Sequence, residues 1–154
     1  MIEDFKKVMM DKFEMTNLGL IKYFLDMQVR QSPGQIFFSQ EKYAEDLLKK
    51  FNMLDCKPLS TPMATNEKLS KYNGQKKVDG STYQSLVGSL IYLTNTRPDI
   101  VYAVSIVSRF MSEPSKANFV AAKRILRYIK GAENYGLLYK TEKDARLIGY
   151  TDND

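Results

Sequence analysis

The sequence contains no histidine and a single cysteine, and these absences exclude most of the common catalytic and metal-binding sites. Without histidine there is no Ser/His/Asp or Cys/His triad, no histidine-ligated zinc and no histidine acid–base catalysis. The lone thiol of Cys56 can form neither an internal disulfide nor a cysteine-cluster metal site, and it suits a reducing compartment. Any chemistry would therefore depend on carboxylates, lysine or tyrosine.

Long hydrophobic runs are also missing. No stretch of about 18 apolar residues occurs, so we expect no membrane span, and the first residues lack the apolar core of a signal peptide. Apolar residues nevertheless make up 44% of the 154 residues, which is enough for a buried core. The net charge of +5 at pH 7 is a modest excess, which favours a polyanionic partner where the basic residues cluster.

The first third of the chain, residues 1–55, has the pattern of a helix, a β-hairpin and a second helix. An amphipathic helix is predicted from Ile2 to Phe13. Two apolar runs, Leu20 to Gln31 and Gln35 to Ser39, flank a Ser-Pro-Gly turn and predict the hairpin. The second helix is predicted to begin at the end of the hairpin and to end at Asn52.

The remaining chain divides into three segments. Residues 56–80 are rich in Pro, Gly, Lys, Ser and Thr, and we interpret them as a linker that is either mobile or lies over a surface. Residues 81–131 predict three helices with short connections, which indicate a small bundle. Residues 132–154 predict a C-terminal strand pair around a charged turn at Glu142 to Asp144. The fold class predicted from the whole pattern is α+β.

Local signals mark the ends of the three predicted bundle helices. The first, Tyr83 to Leu93, is apolar on most sides and should be largely buried. Pro98 suits the first turn of the second helix. Ser115 is a suitable N-cap for the third helix, and Gly131 is a signal for its C-terminal end.

Eight short blocks of the sequence, in their order and spacing, resemble copia-type reverse transcriptases. They are Phe13 to Gly19, Tyr23 to Leu25, Ser39 to Ala44, Cys56 to Met63, Tyr83 to Leu93, Thr96 to Ile100, Ala121 to Gly131 and Gly149 to Asp152. The resemblance to this Ty1/copia-type retrotransposon family implies a palm remnant in residues 1–55 and a thumb-like bundle in residues 81–131. It also implies a connection and the first strand of a truncated ribonuclease H domain in residues 132–154. Copia-derived plant reading frames described as mitochondrial-protein-like are similar.

The resemblance also implies which chemistry is missing. In this family the metal-binding carboxylates of the palm lie upstream, and no Tyr-Val-Asp-Asp-like hairpin occurs in this sequence. Asp152 resembles the first metal-ligating carboxylate of ribonuclease H, but a two-metal nuclease needs several such groups. We therefore expect no catalytic residue, no metal site and no cofactor here, with Mg²⁺ confined to the full-length parent.

The first candidate nucleic-acid site is a stripe on the first bundle helix. Gln84, Gly88 and Tyr92 lie at i, i+4 and i+8, on one face. The segment resembles retroviral reverse transcriptases, in which Gln, Gly and an aromatic residue at this spacing follow the minor groove of the duplex. The alternative is that Gly88 permits close helix packing and Tyr92 belongs to the core.

The second candidate is a basic ridge on the last helix. Lys123, Arg127 and Lys130 share one face, Arg124 lies beside them, and such a ridge suits contacts with roughly three or four phosphates. The alternative is an ordinary solvated charged face.

The third candidate is Phe24-Leu25-Asp26, in the hairpin that corresponds by resemblance to the primer grip. The family usually has glycine at the position of Asp26, and glycine lets the backbone approach a strand closely. Aspartate adds bulk and a negative charge, which puts primer gripping in doubt. The alternative is a plain hairpin with Phe24 in the core.

The expected function is that of the nucleic-acid-holding part of an RNA-directed DNA polymerase, inert by itself. The expected partner is an RNA/DNA hybrid or a DNA duplex, bound weakly, in an intracellular compartment that is cytoplasmic, nuclear or mitochondrial. The alternative is a domesticated interaction module whose exposed apolar surfaces bind another protein or self-associate.

Overall fold

Five α-helices and four β-strands form the described part of the chain in this computed structural model, which describes residues 1–16, 19–65, 69–70, 76–142 and 149. In chain order they are α1 (Ile2–Lys12), β1 (Tyr23–Phe24), β2 (Met27–Ser32), β3 (Gln35–Ser39), α2 (Glu41–Lys50), α3 (Gly80–Leu93), α4 (Val101–Ser108), α5 (Lys116–Lys130) and β4 (Gly136–Lys140). A 3₁₀ turn at Pro98–Ile100 leads into α4. The predicted α+β class is confirmed.

The four strands form one antiparallel sheet in the order β1-β2-β3-β4. The predicted hairpin is confirmed, and its turn uses Gly34 at a φ of 75°, a left-handed conformation that glycine adopts without strain. The strand after the bundle returns to this hairpin, because β4 pairs with β3 in a register that places Leu137 opposite Phe38. The predicted partner strand at the C-terminal end falls, apart from Gly149, outside the described residues.

Helices α2 to α5 share a single hydrophobic core on both sides of the predicted linker. Its fully buried side chains include Leu48, Leu86, Val87, Leu90, Val107, Ile125, Leu126 and Ile129. The described part of the predicted linker lies over α5, where the backbone N–H of Leu59 donates to the carbonyl of Arg127 at 3.1 Å. The helix that follows the hairpin therefore packs with the bundle.

The ends of the core helices follow the predicted local signals closely. Helix α3 begins three residues earlier than predicted, because the Asp79 side chain accepts a hydrogen bond from the backbone N–H of Thr82 at 2.7 Å. A hydrogen bond from the Thr82 hydroxyl, together with this backbone bond, lowers the pKa of Asp79. Ser115 caps α5, and Gly131 follows its last residue, as predicted.

A buried arginine holds the junction of α3 and α4 against the end of α5. Arg97 is only 2% exposed, and its guanidinium makes a bidentate ion pair with Asp99, with Nε–Oδ1 at 2.9 Å and Nη2–Oδ2 at 2.7 Å. Its Nη1 donates to the carbonyl of Ala132 at 2.8 Å, and the Tyr128 hydroxyl donates to Asp99 at 2.8 Å. Burial disfavours ionised Asp99, but the hydrogen bonds from Arg97 and Tyr128 outweigh it and lower the pKa of the carboxyl.

Apolar side chains are exposed on α1 and on one face of the sheet. Helix α1 matches its prediction, except that it ends one residue earlier, but none of its residues is buried. Phe5 of α1 is exposed, as are Ile36 and Tyr139, which are opposite each other on one face of the sheet. Among the described residues, no helix has the length and apolarity needed to cross a membrane.

Candidate nucleic-acid interface

The stripe on α3 is open to solvent over its first two members. Gln84 and Gly88 are exposed, and a Cβ built on Gly88 would meet no described atom within 4 Å. Leu86, Leu90 and Leu93 are all buried, as an outward-facing stripe requires. The described neighbours thus leave room in front of Gly88 and supply no helix packed against it.

The two ends of the stripe have partners within the chain. Gln84 Nε2 donates to the carbonyl of Met111 at 3.0 Å, and among the described residues the amide oxygen and the second N–H of Gln84 have no partner. Tyr92 is half-buried, and its ring packs edge-on against that of Tyr43, with centroids 5.1 Å apart. Tyr92 thus serves partly as a packing residue between α3 and α2.

The Phe24-Leu25-Asp26 segment forms a tight turn of its own, between β1 and β2. Leu25 and Asp26 have φ values of 47° and 56°, which is the left-handed pair of conformations found in a type I′ hairpin turn. Aspartate tolerates this conformation better than most residues, and glycine adopts it with the least strain. The apolar run predicted as one strand from Leu20 to Gln31 is therefore interrupted by a turn that lacks glycine.

The alternative interpretation of Phe24 as a core residue is wrong, because the residue is 55% exposed. Asp26 Oδ1 accepts a hydrogen bond from the Tyr23 hydroxyl at 3.0 Å, and this bond raises the pKa of Tyr23. The carboxylate is therefore held beside the β1 strand at the tip of the turn.

The first and third candidate sites meet on one face of the molecule. The Tyr92 hydroxyl donates to the carbonyl of Leu25, which joins residues 67 positions apart in the chain. Tyr43 of α2 supports the same contact, since its hydroxyl donates to the carbonyl of Ser89 at 3.2 Å. Burial raises the pKa of Tyr43, so this hydroxyl stays protonated as a donor. Sequence reasoning missed the contribution of α2 to this face.

The basic ridge on α5 is largely engaged by the chain itself. Arg124 Nη2 donates to the hydroxyl of Thr61 at 3.0 Å, and Arg127 Nε donates to the carbonyl of Lys57 at 2.8 Å. Both acceptors belong to the segment that follows α2 and lies over α5. The two arginines therefore hold the loop in place, and their free N–H groups are correspondingly fewer.

The two lysines of the ridge also have neighbours. Lys130 forms an ion pair with Glu133 at 2.9 Å, and Lys123 Nζ lies 5.1 Å from the centroid of the Phe119 ring. The ridge thus differs from the stripe, whose central position faces open space.

No metal site is found in the part of the chain that the structure describes, where no group of three or more Cys, Asp or Glu side chains could hold an ion. Asp152, the predicted counterpart of a ribonuclease H ligand, lies outside the described residues. The α3 face combines the amide of Gln84, the ring of Tyr92 and a backbone left uncovered at Gly88. These groups are suited to binding a ligand.

Comparison with known proteins gives consistent matches over this chain. A family model described as reverse transcriptase (RNA-dependent DNA polymerase) matches residues 1–65. An uncharacterised mitochondrial protein of Arabidopsis thaliana is 44% identical over 142 residues. The retrovirus-related Pol polyprotein from transposon RE1 of the same plant is 42% identical over 143 residues. The Pol polyprotein from transposon TNT 1-94 of Nicotiana tabacum is 41% identical over 151 residues.

The alignments cover most of this chain and a smaller share of its relatives. The alignments include 92% of the chain for the mitochondrial protein, 93% for the RE1 polyprotein and 92% for the TNT 1-94 polyprotein. They span 59% of the mitochondrial protein but only 10% and 11% of the two Pol polyproteins. No solved structure matches the chain.

Proposed function

Because the chain belongs by sequence to the copia-type retrotransposon reverse transcriptases, we propose that it holds a template–primer duplex on the α3 stripe and the β1–β2 turn. The duplex is an RNA/DNA hybrid or double-stranded DNA. The observation that carries the proposal is the open space in front of Gly88, on a face that Tyr92 joins to the turn through Leu25.

Each member of the stripe has a chemical role in this proposal. The free amide oxygen of Gln84 accepts a hydrogen bond from a sugar 2′-hydroxyl of an RNA strand at the minor groove, a contact that does not read base identity. Gly88 has no side chain, which lets the groove edge approach the helix backbone. The exposed edge of Tyr92 packs on a sugar, while its hydroxyl keeps the turn in place. None of these contacts depends on base identity, so binding should tolerate any sequence.

We further propose that the chain by itself binds without catalysing. The sequence has no adjacent aspartate pair of the kind that holds the polymerase metal ions, so Mg²⁺-dependent chemistry would belong to other parts of a full-length polyprotein. An intracellular compartment, cytoplasmic, nuclear or mitochondrial, fits a partner of this kind. None of the relatives described above favours the alternative of a domesticated interaction module.

The test is a titration of the purified chain with fluorescent DNA duplex, RNA/DNA hybrid and single-stranded DNA at several salt concentrations. We expect weak duplex binding that tolerates any sequence and falls by about 0.9 log units in affinity per log unit of salt for each phosphate contact. Absence of duplex binding at low salt would overturn the proposal. Incubation with primer–template, nucleotides and Mg²⁺ or Mn²⁺ should give no extension, and extension abolished by a substitution in this chain would show that it is catalytic.

A further inference from the structure

We propose that Lys42 and Lys50 of α2 are phosphate-binding residues that flank the α3 stripe, an inference that rests on the proposed function. In this arrangement α2 contacts the backbone of one nucleic-acid strand while α3 faces the minor groove. The two helices thus form one binding surface, with the β1–β2 turn at one end.

Contacts with residues of α3 beside the stripe set the position of α2. Tyr43, near the start of α2, reaches the carbonyl of Ser89, and its ring packs on Tyr92 near the end of α3. Lys50, at the end of α2, donates from Nζ to the hydroxyl of Ser85 at 2.8 Å. The two helices therefore run antiparallel, and Lys50 lies beside the Gln84 end of the stripe.

Lys42 lies at the opposite end of the same surface. Its Nζ is 5.9 Å from the centroid of the Tyr23 ring in β1, the strand that enters the turn. Lys42 and Lys50 are both exposed. Between them they therefore bracket the stripe, one beside the turn and one beside Gln84.

The charges of the two lysines are not neutralised by the carboxylates of their own helix. Glu45 and Asp46 both pair with Lys49, at 2.7 Å and 3.6 Å. The third carboxylate, that of Glu41, pairs with Arg30 of β2 at 3.2 Å. Among the residues that the structure describes, no ion pair involves Lys42 or Lys50, whose contacts are with aromatic rings and a hydroxyl. Both ammonium groups are therefore available to an external anion.

The spacing of the two lysines suits two phosphates of one strand that lie about three or four positions apart. Eight residues of α-helix span about 12 Å. Phosphates on one strand of a duplex rise about 3.4 Å apart along the axis, so this span covers roughly three or four of them. A lysine ammonium binds phosphate as a point charge on a flexible stem, which tolerates the small differences between hybrid and DNA geometry.

The carboxylate of Asp26 is the negative group at the turn end of this surface. It accepts a hydrogen bond from Tyr23, whose ring is the same one that Lys42 approaches. Lys42 thus places a positive charge close to the acidic tip of the turn. We infer that it offsets, at this end, the repulsion that Asp26 exerts on a phosphate.

The experiment compares Lys42→Ala/Lys50→Ala with Lys116→Ala/Lys140→Ala, a matched double variant that removes the same charge from exposed lysines on α5 and β4. Fluorescence anisotropy with a primer–template duplex is recorded over a range of salt concentrations. For the α2 pair we expect the slope of log affinity against log salt to become shallower by about 1.8, for two lost phosphate contacts, while the control pair keeps the wild-type slope. Lys42→Gln/Lys50→Gln should behave like the alanine pair, and thermal melts of all variants should match.

Equal slopes for the two double variants would overturn the assignment of Lys42 and Lys50. If the stripe variant Gly88→Ala still weakens binding in that case, the proposed function stands without the inference. Absence of duplex binding by the wild-type chain would overturn both.

Discussion

The outer faces of α3 and α5 each carry a candidate nucleic-acid site predicted from helical spacing, but the two faces differ in the folded chain. Both helices belong to one core, and each candidate site lies on the side of its helix away from that core. No described atom lies within 4 Å of a Cβ built on Gly88 of α3, whereas Arg124 and Arg127 on α5 donate to the segment that follows α2. The difference shows that an outward-facing side chain is free to bind a ligand only if the rest of the chain leaves it uncovered.

We expect the greatest loss of stability from removing Arg97, whose buried network holds α3, α4 and α5 together. Arg97→Ala removes the buried partner of Asp99 and one of the two donors to the carbonyl of Ala132, which still accepts from the Tyr135 N–H at 3.2 Å. We expect a loss of about 3 kcal/mol in the free energy of unfolding, the low end for a buried ion pair because Asp99 is partly exposed. Chemical denaturation measures this loss, and Arg109→Ala, at an exposed position, should stay within about 0.5 kcal/mol of wild type. Equal stability of the two variants would show that the Arg97 network does not stabilise the fold.

The same network predicts a dependence of stability on pH. Since the folded pKa of Asp99 lies below its unfolded value, its contribution is complete above the unfolded pKa and is lost as pH falls through the folded pKa. Asp99→Asn should cost roughly 1.5 kcal/mol at pH 7, the low end for a hydrogen-bonded charged group. Denaturation at a series of pH values should show the two proteins converging in stability as the pH is lowered below about 4. A constant difference across that range would assign the effect to packing instead of charge.

Gly88→Ala tests whether the outer face of α3 binds the duplex. Because the added methyl meets open space and alanine is the better helix former, we expect stability to be unchanged or to rise by up to about 1 kcal/mol. Duplex affinity should fall, because the methyl holds the groove edge away from the helix. Thermal melts should therefore show an unchanged or higher melting temperature, while duplex titrations should show a lower affinity. A lowered melting temperature would mean that Gly88 is a packing residue.

The smallest effect on salt dependence is expected on the α5 side. Lys123→Ala/Arg127→Ala/Lys130→Ala removes three charges. However, Arg127 donates to the backbone carbonyl of Lys57, and Lys130 forms an ion pair with Glu133. We expect this triple variant to flatten the salt slope by less than the two α2 substitutions do. The measurement is the same anisotropy titration. A larger change for the triple variant would make the ridge the main phosphate-binding surface.

Local signals in the sequence predicted much of the fold. The caps at Ser115 and Gly131, the Pro98 turn and the hairpin at Gly34 all lie where the sequence places them. Each depends on the conformational preference of one or two residues, which acts over a few positions of chain. The turn at Leu25 escaped prediction because neither of its left-handed residues is a glycine.

Residue order and the helical period were enough to predict the resemblance to reverse transcriptases, the helices and the outward stripe of α3. Three contacts became visible in the folded chain alone: β4 pairs with β3, Tyr92 donates to Leu25, and a loop lies over Arg124 and Arg127. Those contacts join segments that are far apart in the chain, and no local propensity records them. They arise when the core of α2 to α5 closes and brings the surfaces around it into contact, which is why the available binding face could be identified only in the folded chain.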